Sequence, residues 1–204
     1  MDGIPILYED DQLLVCVKPR GVLSAKDASG KPAVTDGLPC AVFPVHRLDR
    51  EATGLMVFAK TAACAAFLSE AMGKTVRKEY LAVCEGRPDE SGELTDLLYH
   101  DRGKNKTYVV KRKRNGVREA RLSYEVLRSE SGTSLLHVLL HTGRTHQIRV
   151  QLASRGFPLC GDRKYGAKTG GDLQLYAWRL TFPHPDGRRL SFTLPEPFCP
   201  GKEF

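Results

Sequence analysis

The sequence predicts an α+β fold, a single domain in which a mixed, mainly antiparallel β-sheet is flanked by a few helices and loops. Short apolar segments that suit strands outnumber those with helical spacing. Most of these segments follow one another through turn-type sequences, which favour hairpins and antiparallel pairing. The chain of 204 residues is long enough for one sizeable core but short for two. Residues 1–204 are therefore expected to form one domain.

The predicted strands run from the N-terminus to the end of the chain. They cover residues 6–8, 13–17, 55–59, 77–86, 108–110, 120–126, 135–140, 175–180 and 190–194. The turn 183–187, with two prolines and a glycine, joins the last two strands. Residues 23–44, 88–103 and 158–171 are expected to be loops or polar connections.

Two segments carry helix signals. The first covers residues 62–72, with Thr61 as the capping residue and an apolar face of Ala63, Ala66, Phe67 and Ala71. The second covers residues 146–155, with Thr145 as its cap and Gly156 at its end.

The positive charge of the chain is concentrated in one short segment. Eight of its 31 lysines and arginines, and one acidic residue, lie within residues 101–118, which accounts for the whole net charge of +7. Asn115-Gly116 predicts a tight hairpin turn there. We expect a basic hairpin at about 102–118, with Lys111, Arg112, Lys113 and Arg114 near its tip, to contact a polyanion. The alternative is a solvated hairpin without a partner.

Several classes of protein lack support in the sequence. No run of eighteen apolar residues could span a bilayer, and the N-terminus lacks the pattern of a signal peptide. The six cysteines show no Cys-x-x-Cys spacing, so we expect reduced thiols and a cytoplasmic protein. Motifs for nucleotide binding, zinc proteolysis and serine hydrolysis are not found.

One stretch, His46-Arg47-Leu48-Asp49-Arg50, places a carboxylate among basic side chains just before a predicted buried strand. Such a carboxylate can be held firmly while it faces a cleft, or it can form an ordinary surface salt bridge. The spacing Asp49-x-Glu51-x-Thr53 also resembles the Asp-x-Asp-x-Thr of aspartate phosphohydrolases. However, Asp49 does not follow a continuous apolar strand, as it does in those enzymes.

Four motifs occur in one order along the chain and closely resemble those of the RluA family of RNA pseudouridine synthases. They are His46-Arg47-Leu48-Asp49 with Thr53-Gly54-Leu55, Lys78-Glu79-Tyr80-Leu81-Ala82-Val83, Thr142-Gly143-Arg144-Thr145-His146-Gln147-Ile148-Arg149, and Gly161-Asp162-Arg163-Lys164-Tyr165-Gly166. Lys18-Pro19-x-Gly21 near the start and Phe182-Pro183-His184-Pro185-x-Gly187 near the end also match. The resemblance thus covers almost the whole chain.

The resemblance implies roles for individual residues. Asp49 would be the catalytic carboxylate, Tyr80 would stack against the target base, and Arg149 would pair with Asp49. Arg47 would lie beside the flipped nucleotide. His46, Arg144 and His146 would contact substrate, although loop and helix-cap support explains Arg144 and His146 equally well. Gly161-Asp162 and Tyr165-Gly166 are interpreted as architecture.

The sequence therefore predicts an RNA pseudouridine synthase that isomerises uridine in rRNA or tRNA without a cofactor or metal. Its partner would be structured RNA, and we expect a monomer in which no N-terminal S4-type domain precedes the catalytic one. The alternative is a non-catalytic RNA-binding protein on the same fold. Two departures from the family, Ala52-Thr53-Gly54 for Thr-Ser-Gly and Gln151 for a histidine, leave the proposed catalytic residues in place.

Overall fold

The computed structural model describes residues 3–197, and the chain divides into two units. The first unit contains the residues up to Arg77 and those from Tyr176 onward, and the second contains Lys78–Leu175. In chain order the elements are β1 (Ile6–Glu9), β2 (Leu13–Lys18), β3 (Phe43–Pro44), β4 (Thr53–Ala59), α1 (Ala62–Ala71), β5 (Arg77–Glu85), β6 (Ser91–Asp101), β7 (Lys106–Val110), β8 (Val117–Glu130), β9 (Thr133–Leu140), α2 (Gln147–Ala153), β10 (Leu175–Pro183) and β11 (Arg189–Thr193).

Five strands of the first unit follow the order β1-β2-β4-β10-β11, and the two-residue strand β3 pairs antiparallel with β4. Only the β4–β10 contact among them is parallel, with Tyr176 opposite Thr53 and Ala177 opposite Gly54. Gly54 has a φ of +120°, and a side chain there would collide with the backbone of Ala177. Glycine is therefore required where these two strands meet.

Helix α1 begins as the sequence predicts, since Thr61 Oγ1 accepts a hydrogen bond from the Cys64 amide at 3.1 Å. Its predicted apolar face is wrong at three of four positions, because Ala63, Ala66 and Phe67 are not buried and only Ala71 is. Cys64, Leu68 and Ala71 instead pack into the core of the first unit. The helix is rich in alanine on all sides, so spacing alone does not define its buried face.

The strands of the second unit follow the order β5-β9-β8-β6-β7, and all of them pair antiparallel. β8 and β9 form a hairpin whose turn residues, Ser131 and Gly132, both have positive φ, which suits the twist of a tight hairpin. With the mixed strands of the first unit, this arrangement confirms the predicted α+β fold with a mainly antiparallel sheet.

Two predictions about the basic segment are wrong. The expected connection 88–103 contains the eleven-residue strand β6. β6 lies between β7 and β8, so these two strands do not pair with each other. The hairpin is therefore β6–β7, with its turn at 102–105, and residues 111–116 form an exposed connection that passes from one side of β6 to the other.

Helix α2 is shorter than predicted and begins after His146, which has a φ of +53° and caps the helix without a side-chain hydrogen bond. The predicted cap at Thr145 is therefore wrong. The side chain of Gln147 holds the preceding loop instead, because its Oε1 accepts hydrogen bonds from the Arg144 amide and from Thr142 Oγ1. Within residues 3–197, no helix has the length and apolar character needed to cross a membrane.

Candidate active site

Asp49 lies in the loop that leads into β4 in the first unit, and its side chain is half-buried. The residue before it is fixed from both sides. Ser24 Oγ accepts a hydrogen bond from the Leu48 amide at 2.9 Å and donates one to the Leu48 carbonyl oxygen at 3.0 Å. The amide of Ala52 donates to the Asp49 carbonyl oxygen. The backbone around Asp49 is thus held while its side chain stays partly exposed.

Lys18 ties the same loop to the end of β2. Its side chain is fully buried, and its ammonium donates to the carbonyl oxygens of Pro19 at 2.7 Å, Arg50 at 2.9 Å and Ala52 at 2.7 Å. Thr53 Oγ1 donates in return to the Lys18 carbonyl oxygen at 2.6 Å. All three N–H bonds of the ammonium are therefore used to position the loop.

The buried charge of Lys18 also shapes the electrostatics near Asp49. Burial lowers the pKa of Lys18 from 10.5 to about 8, and the negative charges of Glu51 and Asp49 oppose this shift. The three carbonyl oxygens require three donors, which only the protonated amine supplies. At neutral pH the loop of Asp49 therefore surrounds a buried cation.

His46 and Arg47 occupy different environments. His46 Nε2 accepts a hydrogen bond from the Val57 amide at 3.1 Å, so this nitrogen supports strand β4. Any contact of His46 with substrate, as the sequence predicts, would have to use ring atoms other than Nε2. Arg47 is exposed, and its charge helps to lower the pKa of Asp27 after the larger effect of hydrogen bonds from Ser29.

Tyr80 and Arg149 belong to the second unit. Tyr80 is buried on β5, opposite Val138 of β9. Arg149 is buried on α2, where its Nε and Nη2 donate to the two carboxylate oxygens of Asp162 at 2.7 and 2.8 Å. Sequence reasoning assigned Asp162 to architecture and missed this ion pair. An aspartate thirteen residues from an arginine gives no local signal of pairing.

Tyr165 connects the β6–β7 hairpin with the start of α2. Its hydroxyl accepts a hydrogen bond from the Thr107 amide at 2.8 Å and lies 2.9 Å from His146 Nδ1. The guanidinium of Arg149 lies over the Tyr165 ring, 5.2 Å from the ring centroid. The Lys106 ammonium is also 5.2 Å from the centroid of this ring. These contacts favour the supporting role that the sequence left open for His146.

Arg144 is exposed after β9, with its Nε donating to the Glu119 carbonyl oxygen at 2.9 Å. Nearby Lys78, which sequence reasoning did not select, is partly buried on β5. Burial lowers the pKa of Lys78, and the charge of Arg144 lowers it further.

The basic connection between β7 and β8 lies on the surface of the second unit. Its four consecutive basic residues are exposed: Lys111, Arg112, Lys113 and Arg114. The guanidinium of Arg114 stacks 4.7 Å from the ring centroid of Tyr99 on β6, which anchors one end of the connection. In the part of the chain that the structure describes, no group of three or more acidic, histidine or cysteine side chains could hold a metal ion.

Comparison with known proteins identifies one family. The family model described as RNA pseudouridylate synthase matches residues 12–154. An uncharacterized RNA pseudouridine synthase of Mycobacterium tuberculosis is 36% identical over 97% of this chain and 70% of its own length. Ribosomal large subunit pseudouridine synthase D of Nitrosomonas europaea is 35% identical over 96% of this chain, which spans 63% of that protein.

Solved structures agree with the sequence comparisons. The human protein RNA pseudouridylate synthase domain containing 4 superposes with a TM-score of 0.77 at 25% identity, over 95% of this chain and 88% of that one. The human protein RNA pseudouridylate synthase domain containing 1 shares the fold, with a TM-score of 0.78 at 21% identity over 98% and 86%.

Proposed function

The chain belongs to the RNA pseudouridylate synthase family, whose members are isomerases, and we propose that it converts uridine to pseudouridine in structured ribosomal or transfer RNA with Asp49 as the catalytic carboxylate. The reaction breaks the bond from N1 of uracil to C1′ of the ribose. The base then turns, C5 bonds to C1′, and the proton lost from C5 is balanced by one gained at N1. No atoms or electrons need enter from outside.

This chemistry requires a well-placed ionised carboxylate, because such a group can attack the ribose or the base, or assist at C1′. The observation that carries the assignment is the way the Asp49 loop is held. Ser24 fixes the residue before Asp49, and Lys18 binds the carbonyl groups of Arg50 and Ala52 after it. A backbone fixed on both sides of Asp49 limits where its carboxylate can lie, which lowers the entropic cost of reaction.

For Tyr80 and Arg149 we propose the roles that the family resemblance implies. A tyrosine gives the uracil a flat surface for stacking and has a hydroxyl that can help move a proton. Arg149 would keep the Asp49 carboxylate charged, since a neighbouring guanidinium lowers the pKa of a carboxyl group. Arg47, which is exposed, would lie beside the extruded nucleotide.

The RNA must release its uridine before the base can react. Extrusion costs a few kcal/mol and is cheapest in a loop. We propose that the exposed basic residues of the second unit, Lys111 to Arg114, offset this cost through contacts with RNA phosphates.

The scattered cysteines favour action in the reducing cytoplasm, and we propose that residues 1–204 act as a monomeric catalytic domain.

The competing function is non-catalytic RNA binding on the same fold. Binding alone needs the basic residues but does not need Asp49, Tyr80 and Arg149 together. Mutation of the carboxylate separates the two functions.

The decisive experiment replaces Asp49 by alanine and by asparagine. Pseudouridines are first mapped in total RNA from cells with and without the protein, which identifies the substrate. Both variants should then form no pseudouridine on that RNA while they bind it within a few-fold of the wild-type affinity. The exposed aspartate of the β1–β2 turn provides a matched control, and Asp11→Asn should remain active. Substantial product from either Asp49 variant would overturn the assignment.

A further inference from the structure

We propose that Lys78 and Arg144 form a binding site for one backbone phosphate of the RNA, adjacent to Tyr80. This inference rests on the proposed function and adds the point at which the RNA backbone is held. The evidence for it is that the neighbouring cations Lys78 and Arg144 have no acidic partner in residues 3–197.

Lys78 is a partly buried cation without a protein acceptor. Within the described residues, its ammonium forms no hydrogen bond or ion pair, whereas Lys18 uses all three of its N–H bonds. Burial without a partner disfavours the charged form, which agrees with the lowered pKa of Lys78. An anion that arrives from outside would remove this penalty.

The loop after β9 passes close to Lys78 without placing a side chain on its ammonium. Lys78 pairs with Leu140, the last residue of β9, and the loop that follows brings Gly143 close to the lysine ammonium. A side chain on Gly143 would begin 3.2 Å from Lys78 Nζ. Because residue 143 is an exposed glycine, the ammonium is not covered by a side chain at this point.

Arg144 supplies the second half of the site. Its backbone amide binds Gln147 Oε1 at 3.0 Å and its Nε binds the Glu119 carbonyl oxygen at 2.9 Å, so both backbone and side chain are held. Its two Nη groups have no acidic partner in the described part of the chain and are available to a ligand. Two adjacent cations repel each other, and an anion between them relieves that repulsion.

A phosphodiester suits this pair of cations. Its two free oxygens can accept hydrogen bonds from the ammonium and the guanidinium at once. Lys78 and Tyr80 are two residues apart on β5 and therefore lie on the same face, about 7 Å apart along the strand. A single nucleotide can span that distance, with its base on Tyr80 and a phosphate on Lys78.

The test compares Lys78→Gln and Lys78→Arg with wild type on the RNA identified as substrate. Lys78→Gln should raise KM and Kd about tenfold, with kcat within about threefold of wild type, because one charge-assisted hydrogen bond to the RNA is removed. The slope of log K against log salt should fall by about 0.7 for a single-stranded phosphate. Lys78→Arg should recover most of the affinity. The exposed Lys74 provides the control, and Lys74→Gln should change neither the affinity for RNA nor the salt slope.

Thermal unfolding without RNA distinguishes a ligand site from a structural lysine. Lys78→Gln should raise Tm, since it removes an unpartnered, partly buried charge. A lower Tm, or an unchanged salt slope and KM, would overturn the phosphate site. If the wild-type protein makes no pseudouridine, binding is measured on total cellular RNA instead. A salt slope that still falls in Lys78→Gln then shows that the proposed function fails and the phosphate site stands.

Discussion

Arg149 binds Asp162 through two parallel hydrogen bonds, from Nε to Oδ2 at 2.7 Å and from Nη2 to Oδ1 at 2.8 Å. The two side chains are only 7% and 2% exposed. The planar guanidinium and the carboxylate therefore fix each other's orientation. Asp162 is thus a positioning residue for Arg149, and it lies in the Gly161-to-Gly166 motif that sequence reasoning treated as architecture.

We predict that Asp162→Ala lowers the free energy of unfolding by about 3–5 kcal/mol, because it leaves the buried Arg149 charge without this partner. Urea denaturation measures the change. The exposed pair Glu70–Lys74 gives the contrast, and Glu70→Ala should cost less than about 1 kcal/mol. A decrease below about 1 kcal/mol for Asp162→Ala would show that another group compensates the Arg149 charge.

Tyr165 offers a second test in the same unit. Tyr165→Phe keeps the ring beneath Arg149 but removes the acceptor of the Thr107 amide, and Thr107 is buried. An unsatisfied buried donor costs about 1–3 kcal/mol, so the free energy of unfolding should fall by that amount. Hydrogen exchange at the Thr107 amide should also become faster.

The matched control for Tyr165→Phe is Tyr108→Phe. The Tyr108 hydroxyl has no hydrogen-bond partner within residues 3–197, so this change should alter stability by less than about 0.5 kcal/mol. Equal effects of the two substitutions would contradict the role of the Tyr165 hydroxyl.

Local chemistry made much of the fold predictable. The Thr61 cap and the strand that contains Leu55 follow from neighbouring residues, and both are confirmed. Asn115-Gly116 indicated the wrong hairpin, because a good turn sequence does not specify which strand lies beside it. The partner of β7 is β6, whose Leu94 and Leu98 are buried but sit among polar residues that obscure strand periodicity.

The position of the candidate catalytic residue could be predicted from a sequence motif. The contacts that its loop makes with distant segments of the chain could not. The loop of Asp49 follows from a motif, but its contacts with Ser24 and Lys18 join residues that are 24 to 34 positions apart. Lys78 stands two residues before Tyr80 and has the sequence context of an ordinary strand lysine. Its partial burial, the closeness of Gly143 to its ammonium, and the lack of a hydrogen-bond partner within residues 3–197 distinguish it.

Lys18 gives a prediction about pH. Its pKa of about 8 in the folded protein lies below the value of 10.5 for an exposed lysine. Between these values the unfolded chain binds more protons, so the stability of wild type should rise with pH from about 8 to 10.5, and Lys18→Met should lack this rise. Titration of the Lys18 ammonium by NMR should show a midpoint near 8, well below the ordinary lysine pKa of 10.5. A midpoint above about 10 would contradict the effect of burial.

The two basic segments of the second unit can be tested separately, because the structure assigns them to different places. The turn 102–105 ends the β6–β7 hairpin, whereas residues 111–116 cross from β7 to β8. If the crossing segment binds phosphates, neutralising Lys111, Arg112, Lys113 and Arg114 should weaken RNA binding and reduce the salt slope by about 0.7 for each single-strand phosphate that is no longer neutralised. Arg102→Gln with Lys104→Gln tests the turn in the same assay. An unchanged salt slope for the four-residue variant would show that the crossing segment does not bind RNA. A reduced slope for the turn variant alone would show that RNA binds at the β6–β7 hairpin instead.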